Sequence, residues 1–353
     1  MDIYSKPLTE RIDWLFNYAR DHAACFCSAD SWLARQRYLA EHPTAILVLK
    51  CMDGRINIPA ATHTPLGVIH ALRNIGGRFD LGWPYLGEIL SQYVADIINA
   101  GRRILVLITY HYSKGSTQRG CAGFNFDTEA ARDHCYAIKA QMEAVFGGNH
   151  QTVYPLVCGF ETDEEALVLH GQAGDVLDVA TLVDPEPDQI AERLQPLYPD
   201  MPAQMRCDLL PLVLDNAQHI AATRKLDREL DIEHREWMIC VGRGFDWLHI
   251  PNQALIIGPY SPNIAEPIGV AASIIQANMD AGRIRDDGFL LLSSSVYAEP
   301  GTDRARAGLK SRFLCQFAAE VIASSNPALA RLMVPRAAVL DERSQALTLI
   351  EHQ

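Results

Sequence analysis

The order of apolar and polar positions predicts alternating helices and strands. Residues 8–40 place apolar side chains at helical spacing, as at Ile12, Leu15 and Ala19, which predicts a helical N-terminal segment. The run HPTAILVLK follows and predicts a short strand that is apolar throughout. Because such a strand is normally covered on both faces, it indicates a parallel sheet with helices on each side.

Further segments continue this alternation. The segment GEILSQYVADIINAGRR predicts an amphipathic helix that ends at Gly101, and RRILVLITYHY predicts a second apolar strand. The segment TEAARDHCYAIKAQMEAVFGG predicts another helix. Next, TVYPLVCGFETDEEALVLHG predicts two strands around the polar turn ETDEE, which we expect to be solvated. This order of elements predicts an α/β fold with right-handed crossovers.

The second half of the chain repeats this order. Four segments of the first half resemble segments of the second half, in the same sequence: 49–55 with 238–244, 98–104 with 279–285, 103–124 with 288–309, and 161–169 with 341–349. A predicted helical stretch, about 190–234, precedes the second copy as 8–40 precedes the first. Chance similarity of common α/β patterns is the alternative, but the shared order favours duplication. We therefore expect two tandem units, residues 1–175 and 176–353.

Composition and charge narrow the class of protein. The chain has 353 residues, of which 48% are hydrophobic and 21% charged, as in globular proteins. A formal net charge of −12 argues against binding to nucleic acid or anionic lipid. No apolar run is long enough to cross a membrane, and the start does not resemble a signal peptide. The expectation is a cytoplasmic protein whose nine cysteines are buried thiols or metal ligands.

Two cysteines and one histidine fall where a parallel sheet gathers its ligands. Cys51 ends the first predicted strand, His111 ends the second, and Cys121 follows in a glycine-rich loop. The carboxyl ends of parallel strands meet at one edge, so these side chains can converge there. Two thiolates and one imidazole suit Zn²⁺, and three protein ligands leave the fourth position open, as in catalytic sites.

The second copy lacks this set of residues. The sequence comparison pairs Cys51 with Cys240, Asp53 with Gly242, His111 with Val296 and Cys121 with Arg306. Residues that only pack a core have no reason to disappear together. The joint loss therefore predicts one zinc ion per chain, held by the first unit, and a second unit that is a degenerate repeat.

These motifs resemble a known enzyme superfamily. CMDGR resembles the Cys-x-Asp-x-Arg motif of β-type carbonic anhydrases, and ALRNIGGR resembles their Arg-Asn-x-Gly segment. His111 and Cys121 resemble their second and third zinc ligands, although nine residues separate them here instead of two. The longer spacing and the pair of unlike copies resemble the divergent carboxysome-shell carbonic anhydrases. The resemblance implies tandem β-carbonic-anhydrase-like units that form a pseudo-dimer, in which each site needs the neighbouring unit as a wall.

The resemblance also implies roles for residues around the metal. Asp53 and Arg55 are two residues apart, so they point the same way if the chain is extended. As a catalytic pair, they would orient zinc-bound hydroxide, or Asp53 would itself ligate the metal at rest; the alternative is a salt bridge at a strand end. The turn containing Asn74, Gly76 and Gly77 would lie near the active site and contact substrate; the alternative is a tight turn that needs positive φ.

The expected function is zinc-dependent carbonic anhydrase activity. Zinc-bound hydroxide would hydrate CO2 reversibly to bicarbonate. The ligands do not distinguish this reaction from hydrolysis of carbonyl sulfide or carbon disulfide. A third alternative is a non-catalytic zinc-binding interaction protein, which the intact Asp53–Arg55 pair argues against. The expected partner is the small substrate, CO2 or bicarbonate. Assembly with further copies of the chain into a homo-oligomer is left open.

Overall fold

The computed structural model describes residues 3–172, 174–226, 234–248 and 252–350. The first unit begins with two helices and continues as a sheet with helices between its strands. In chain order its elements are α1 (Leu8–Cys27), α2 (Ala29–Glu41), β1 (Ala45–Cys51), α3 (Ile58–Ala61), β2 (Ile69–Asn74), α4 (Pro84–Asn99), β3 (Ile104–Tyr112), α5 (Thr128–Phe146), β4 (Val153–Glu161), β5 (Ala166–His170) and β6 (Val176–Asp178). The predicted helical segment 8–40 is divided at Ser28, which has extended backbone angles and caps α2 by accepting from the Ser31 amide.

The second unit follows the same plan after two helices of its own. Its elements are α6 (Pro187–Leu197), α7 (Ala203–Thr223), β7 (Met238–Gly242), β8 (Ala254–Ile257), α8 (Ala265–Asp280), β9 (Phe289–Tyr297), α9 (Thr302–Ser325), α10 (Pro327–Ala330), β10 (Met333–Asp341) and β11 (Leu347–Leu349). The predicted helical stretch 190–234 is confirmed as far as Thr223, and its residues 227–233 lie outside the described residues.

Strand order confirms the predicted α/β class with two similar sheets. The first sheet has the order β2-β1-β3-β4-β5-β6, and the second has the order β8-β7-β9-β10-β11. In both sheets the first four strands are parallel and the next one is antiparallel. Strand β6, which starts at residue 176, belongs to the first sheet. Sequence patterning missed β2, because His70 and Arg73 interrupt its apolar run.

The strand register defines which residues of the two units correspond. In the first sheet Ile46 lies beside Leu105, and in the second sheet Met238 lies beside Leu290. Leu105 and Leu290 are equivalent in the ungapped alignment of 103–124 with 288–309, and the next strand pair, β4 and β10, keeps the same relation. Ile46 therefore corresponds to Met238.

This register corrects part of the sequence comparison. Cys51 lies five residues beyond Ile46, and five residues beyond Met238 is Arg243. The predicted equivalence of Cys51 with Cys240 is therefore wrong by three residues. The same shift applies to Asp53, which the sequence comparison paired with Gly242. The counterparts by strand register are Arg243 for Cys51, Phe245 for Asp53 and Val296 for His111. Short apolar strands offer few landmarks, so their alignment slips easily in sequence.

The two units are joined by backbone hydrogen bonds next to the end of β1. The Ile256 amide donates to the Met52 carbonyl over 3.0 Å, and the Gly258 amide donates to the Arg73 carbonyl over 2.8 Å. Asp53 also forms an isolated antiparallel bridge with Leu255. A single cluster of buried apolar side chains extends through both units. Among the described residues, no helix combines the length and apolarity needed to cross a membrane.

The shared core generates a prediction about the isolated first unit. We expect residues 1–182, expressed alone, to lose the cooperative thermal unfolding transition of the full chain, because the cut exposes apolar surface that both units bury together. Circular dichroism against temperature measures this, with the full chain as reference and the two halves co-expressed as a control that should restore the transition. A cooperative transition in the isolated fragment would contradict a shared core.

Candidate metal centre

Cys51, His111 and Cys121 come together at the carboxyl end of the first sheet. Cys51 is the last residue of β1, and His111 lies one residue before the end of the adjacent parallel strand β3. Their ligand atoms and that of Cys121 all lie within 4.8 Å of one another. The three residues are 5%, 1% and 2% exposed, respectively. The predicted ligand cluster is therefore a buried group that could hold a metal ion.

A compact turn returns the loop after β3 to the sheet and places Cys121. The Cys121 carbonyl accepts from the amides of Phe124 and Phe126, each over 3.0 Å. This turn packs directly on the RNIGGR segment, since a Cβ on Gly123 would lie 2.6 Å from the Gly76 Cα. Gly76 itself has a φ of 65°. Glycine at both positions thus allows the close backbone approach that brings Cys121 to the site.

The other predicted residues of the RNIGGR segment lie beside the same strand ends. Gly77 has a φ of 63°, and a Cβ there would lie 3.0 Å from the Thr109 carbonyl oxygen. Asn74 donates to the Arg78 carbonyl over 2.7 Å, while its Oδ1 is buried and has no hydrogen-bond partner among the described residues. The positive φ angles agree with the tight-turn interpretation. Substrate contact by Asn74, Gly76 and Gly77 stays a prediction.

The sequence pattern predicted that the acidic turn ETDEE is solvated. In the structure, part of this turn is buried. Glu161 is fully buried, and its Oε1 accepts from the Lys114 amide over 3.1 Å. Asp163 accepts from the Ser113 hydroxyl over 3.0 Å and from the Gly115 amide over 2.8 Å. These carboxylates therefore anchor the start of the loop that carries Cys121.

The donor atoms fit a metal ion. The two sulfur atoms are 3.9 Å apart, close to the separation of about 3.8 Å that a tetrahedral zinc ion with Zn–S bonds of about 2.3 Å requires. Both ring nitrogens of His111 are buried and lack a hydrogen-bond partner among the described residues. An unsatisfied buried imidazole is costly, and coordination of a cation would relieve that cost.

The two thiols have unlike proton affinities. The pKa of Cys51 is held well below its usual value, chiefly because Cys121 hydrogen-bonds to it. Burial acts to raise this pKa, and the nearby His111 acts to lower it further. The same shared hydrogen bond and burial raise the pKa of Cys121 far above its usual value. A metal ion binds thiolates, so a bound cation would displace the protons of this pair.

Asp53 and Arg55 form a buried, bidentate ion pair beside this cluster. Arg55 donates from Nη2 to Asp53 Oδ2 over 2.7 Å and from Nε to Oδ1 over 3.1 Å. The Arg55 amide also donates to Oδ1 over 2.8 Å. Burial acts to raise the pKa of Asp53, but the charges of Arg55 and His111 outweigh it and hold the pKa well below its usual range. The carboxylate stays ionised, with Oδ2 4.0 Å from His111 Nδ1.

The second unit completes the surroundings of Arg55. Arg55 Nη2 contacts His234 Nε2 at 3.3 Å, and His234 Nδ1 lies 2.9 Å from Oε1 of Glu236. Glu236 is fully buried, and Asn278 donates to its Oε2 over 3.2 Å. Sequence reasoning missed these residues. Their contacts join segments 179 positions apart, and no motif marks them.

A groove opens next to the cluster, between the loop that carries Cys121 and the second unit. Its volume is about 410 Å³, and its lining includes Arg119, Ala122, Phe126, His234 and Arg283. Arg119 also accepts a hydrogen bond at its carbonyl from Arg55 Nη2, over 2.9 Å. The groove therefore reaches the residues that hold the Asp53–Arg55 pair.

Comparisons with known proteins give little beyond this geometry. No protein-family model matches the chain, and no curated protein is similar to it. Among solved structures, the β-carbonic anhydrase CcaA is similar over 48% of this chain and 91% of its own, with 13% identity and a TM-score of 0.33. A TM-score of this size does not establish a shared fold. The functional assignment therefore rests on the residues of the site.

The ligand geometry predicts a defined zinc stoichiometry. We expect one zinc ion per purified chain, and we expect Cys121→Ser to weaken zinc binding by more than about a hundredfold, because it removes one of three ligands. Inductively coupled plasma mass spectrometry and competition with a chelator measure content and affinity. Cys207→Ser, which alters an exposed thiol outside the cluster, is the matched control. Unchanged zinc binding by Cys121→Ser would exclude this cluster as the metal site.

Proposed function

We propose that this chain is a zinc-dependent carbonic anhydrase that converts CO2 and water reversibly to bicarbonate. The observation that carries the proposal is the buried Asp53–Arg55 pair beside the Cys51–His111–Cys121 cluster. A structural zinc ion is normally enclosed by four protein ligands and has no need of an ionised carboxylate nearby. Three protein ligands and an oriented carboxylate are instead typical of a catalytic zinc site that activates water.

Each residue of the cluster has a definite part in this proposal. Cys51, His111 and Cys121 would hold the zinc ion, and all three are buried. Zinc in such a site lowers the pKa of bound water to about 7 and so supplies a nucleophilic oxygen at neutral pH. The two thiolates add negative charge, and the Arg55 guanidinium offsets part of it.

Asp53 would orient the attacking water. Arg55 occupies both carboxylate oxygens of Asp53, and this fixes the plane of the carboxylate. Because its pKa is held well below the usual range, Asp53 accepts a hydrogen bond at neutral pH and does not take up the proton. The groove beside Arg119 and Arg283 would admit CO2 and release the anionic product toward positive charge.

Finer assignments belong to the same proposal. The nine residues between His111 and Cys121, together with one intact and one degenerate copy, support placement near the carboxysome-shell branch of the β-type superfamily. The division into residues 1–175 and 176–353, the cytoplasmic location and the homo-oligomer stay predictions. No observation favours carbonyl sulfide or carbon disulfide over CO2.

Stopped-flow CO2 hydration tests the proposed reaction. We expect Asp53→Asn to lower the hydration rate by about a hundredfold or more, because the amide cannot replace an ionised acceptor, while zinc content stays at one per chain. Asp188→Asn, an exposed residue far along the chain, is the matched control and should hydrate CO2 like the unaltered protein.

Other results of this experiment separate the alternatives. One zinc ion without CO2 hydration would contradict the carbonic anhydrase proposal, and carbonyl sulfide and carbon disulfide would then be assayed. Absence of zinc from the purified protein would favour a non-catalytic interaction protein.

Arg55→Lys tests whether orientation of the carboxylate matters beyond charge. Lysine keeps the positive charge but cannot donate to both oxygens in the planar arrangement of a guanidinium. We expect hydration to fall about tenfold, and by less than in Asp53→Asn, with zinc content unchanged. An unaltered rate in this variant would mean that Arg55 acts only through its charge.

A further inference from the structure

The second unit has a small cavity in the position that the metal centre occupies in the first unit. By strand register Arg243 takes the place of Cys51, and Val296 takes the place of His111. Both residues line a cavity of about 100 Å³, which we call the second-unit cavity. The first unit contributes His70 and Arg73 to its wall. Each unit thus adds a basic side chain to the site of the other.

Two arginines face this cavity without a counter-ion in direct contact. Arg73 is 6% exposed, and its buried Nε has no hydrogen-bond partner within the described ranges. In the part of the chain that the structure describes, neither the Arg73 nor the Arg243 side chain makes a hydrogen bond or an ion pair. A guanidinium remains protonated in proteins, and an unpaired buried charge is costly. An anion in the cavity would remove that cost.

Burial lowers the pKa of Arg73, and the charge of Asp246 only partly offsets this, since no ion pair joins the two among the described residues. Asp246 is 38% exposed at its side chain, and its Oδ2 lies 3.5 Å from His70 Nδ1. Glu342 is exposed. These two carboxylates are therefore nearer solvent than Arg73, and water screens their charges. Arg73 is the most deeply buried charged side chain of this lining.

The volume of the cavity and the planar shape of its donor groups indicate the class of ligand. A cavity of about 100 Å³ holds several waters or one small anion, whereas drug-sized ligands occupy about 300 Å³ or more. The planar guanidinium matches a carboxylate with two parallel hydrogen bonds. We propose that the second-unit cavity binds a small planar oxyanion, such as bicarbonate or a short carboxylate, through Arg73 and Arg243.

This site would also strengthen the junction between the units. The Arg73 carbonyl accepts from the Gly258 amide of the second unit, and Gly258 lines the same cavity. An anion held by one arginine from each unit would bridge them. A ligand that binds only the folded chain raises its unfolding temperature. The proposal does not depend on the catalytic assignment.

Calorimetric titration of the full-length protein with formate, at constant ionic strength in chloride, tests the proposal. We expect saturable binding at one site and at least about tenfold weaker binding in Arg243→Gln, because a charged hydrogen-bond donor is lost. Zinc content, measured in the same samples, should be equal in Arg243→Gln and in the unaltered protein, which separates this cavity from the metal centre. Arg331→Gln, an exposed arginine outside the cavity, is the matched control for net charge.

Three results would overturn the proposal. These are equal formate affinity in Arg243→Gln, loss of zinc from Arg243→Gln together with its formate binding, and saturable binding of inorganic phosphate in place of formate. A second variant, Val296→Glu, places a carboxylate in the cavity and should abolish formate binding. Its thermal transition, measured alongside, shows that it is folded. Formate binding by folded Val296→Glu at the original affinity would likewise contradict the assignment.

Discussion

The buried ion pair between Asp53 and Arg55 ties the candidate metal centre to the rest of the molecule. Arg55 donates hydrogen bonds to the Asp53 carboxylate and to the carbonyl of Arg119, which lies in the loop that carries Cys121. Arg55 also contacts His234 of the second unit. Asp53 in turn forms a backbone bridge with Leu255. Separating this pair would leave a buried charge uncompensated, which is strongly destabilising. One interaction therefore couples the charge of the site, the position of a ligand and the contact between the units.

The two similar units build the surroundings of the site together. The five strands of the second sheet follow the order of the first five strands of the first sheet, and apolar side chains of both units form a continuous core. The ends of β1 and β2 pair with the second unit through Met52 and Arg73. In the second unit Arg243 and Val296 take the places of Cys51 and His111, and this unit supplies His234, Glu236 and Asn278 around Arg55. The surroundings of Arg55 therefore depend on both units.

The two equivalent positions have diverged in charge. In the first unit, thiols and an imidazole form a cluster that suits a cation. In the second unit, an arginine and a valine take the corresponding places, and Arg73 of the first unit adds a second guanidinium. The same strand ends thus present a cation site and an anion site. A change of side chains at the end of a sheet is enough for this, because the backbone framework stays the same.

Sequence alone determined the elements with strong periodicity and the residues at strand ends. Strands β1 and β3, helices α4 and α5, and the candidate ligands Cys51 and His111 follow from local apolar patterns and from the rule that parallel strands gather ligands at their carboxyl ends. Strand β2 escaped prediction because charged residues interrupt it, and the register of β7 was misread because a short apolar strand has few landmarks.

Only the tertiary structure decided which distant residues surround the site. Glu161 and Asp163 anchor the loop of Cys121, and His234 and Glu236 reach Arg55 across the junction of the units. The cavity between Arg73 and Arg243 likewise exists only once β2 and β7 are placed side by side. Local sequence encodes periodicity and capping, whereas contacts between segments far apart depend on how the sheets pack.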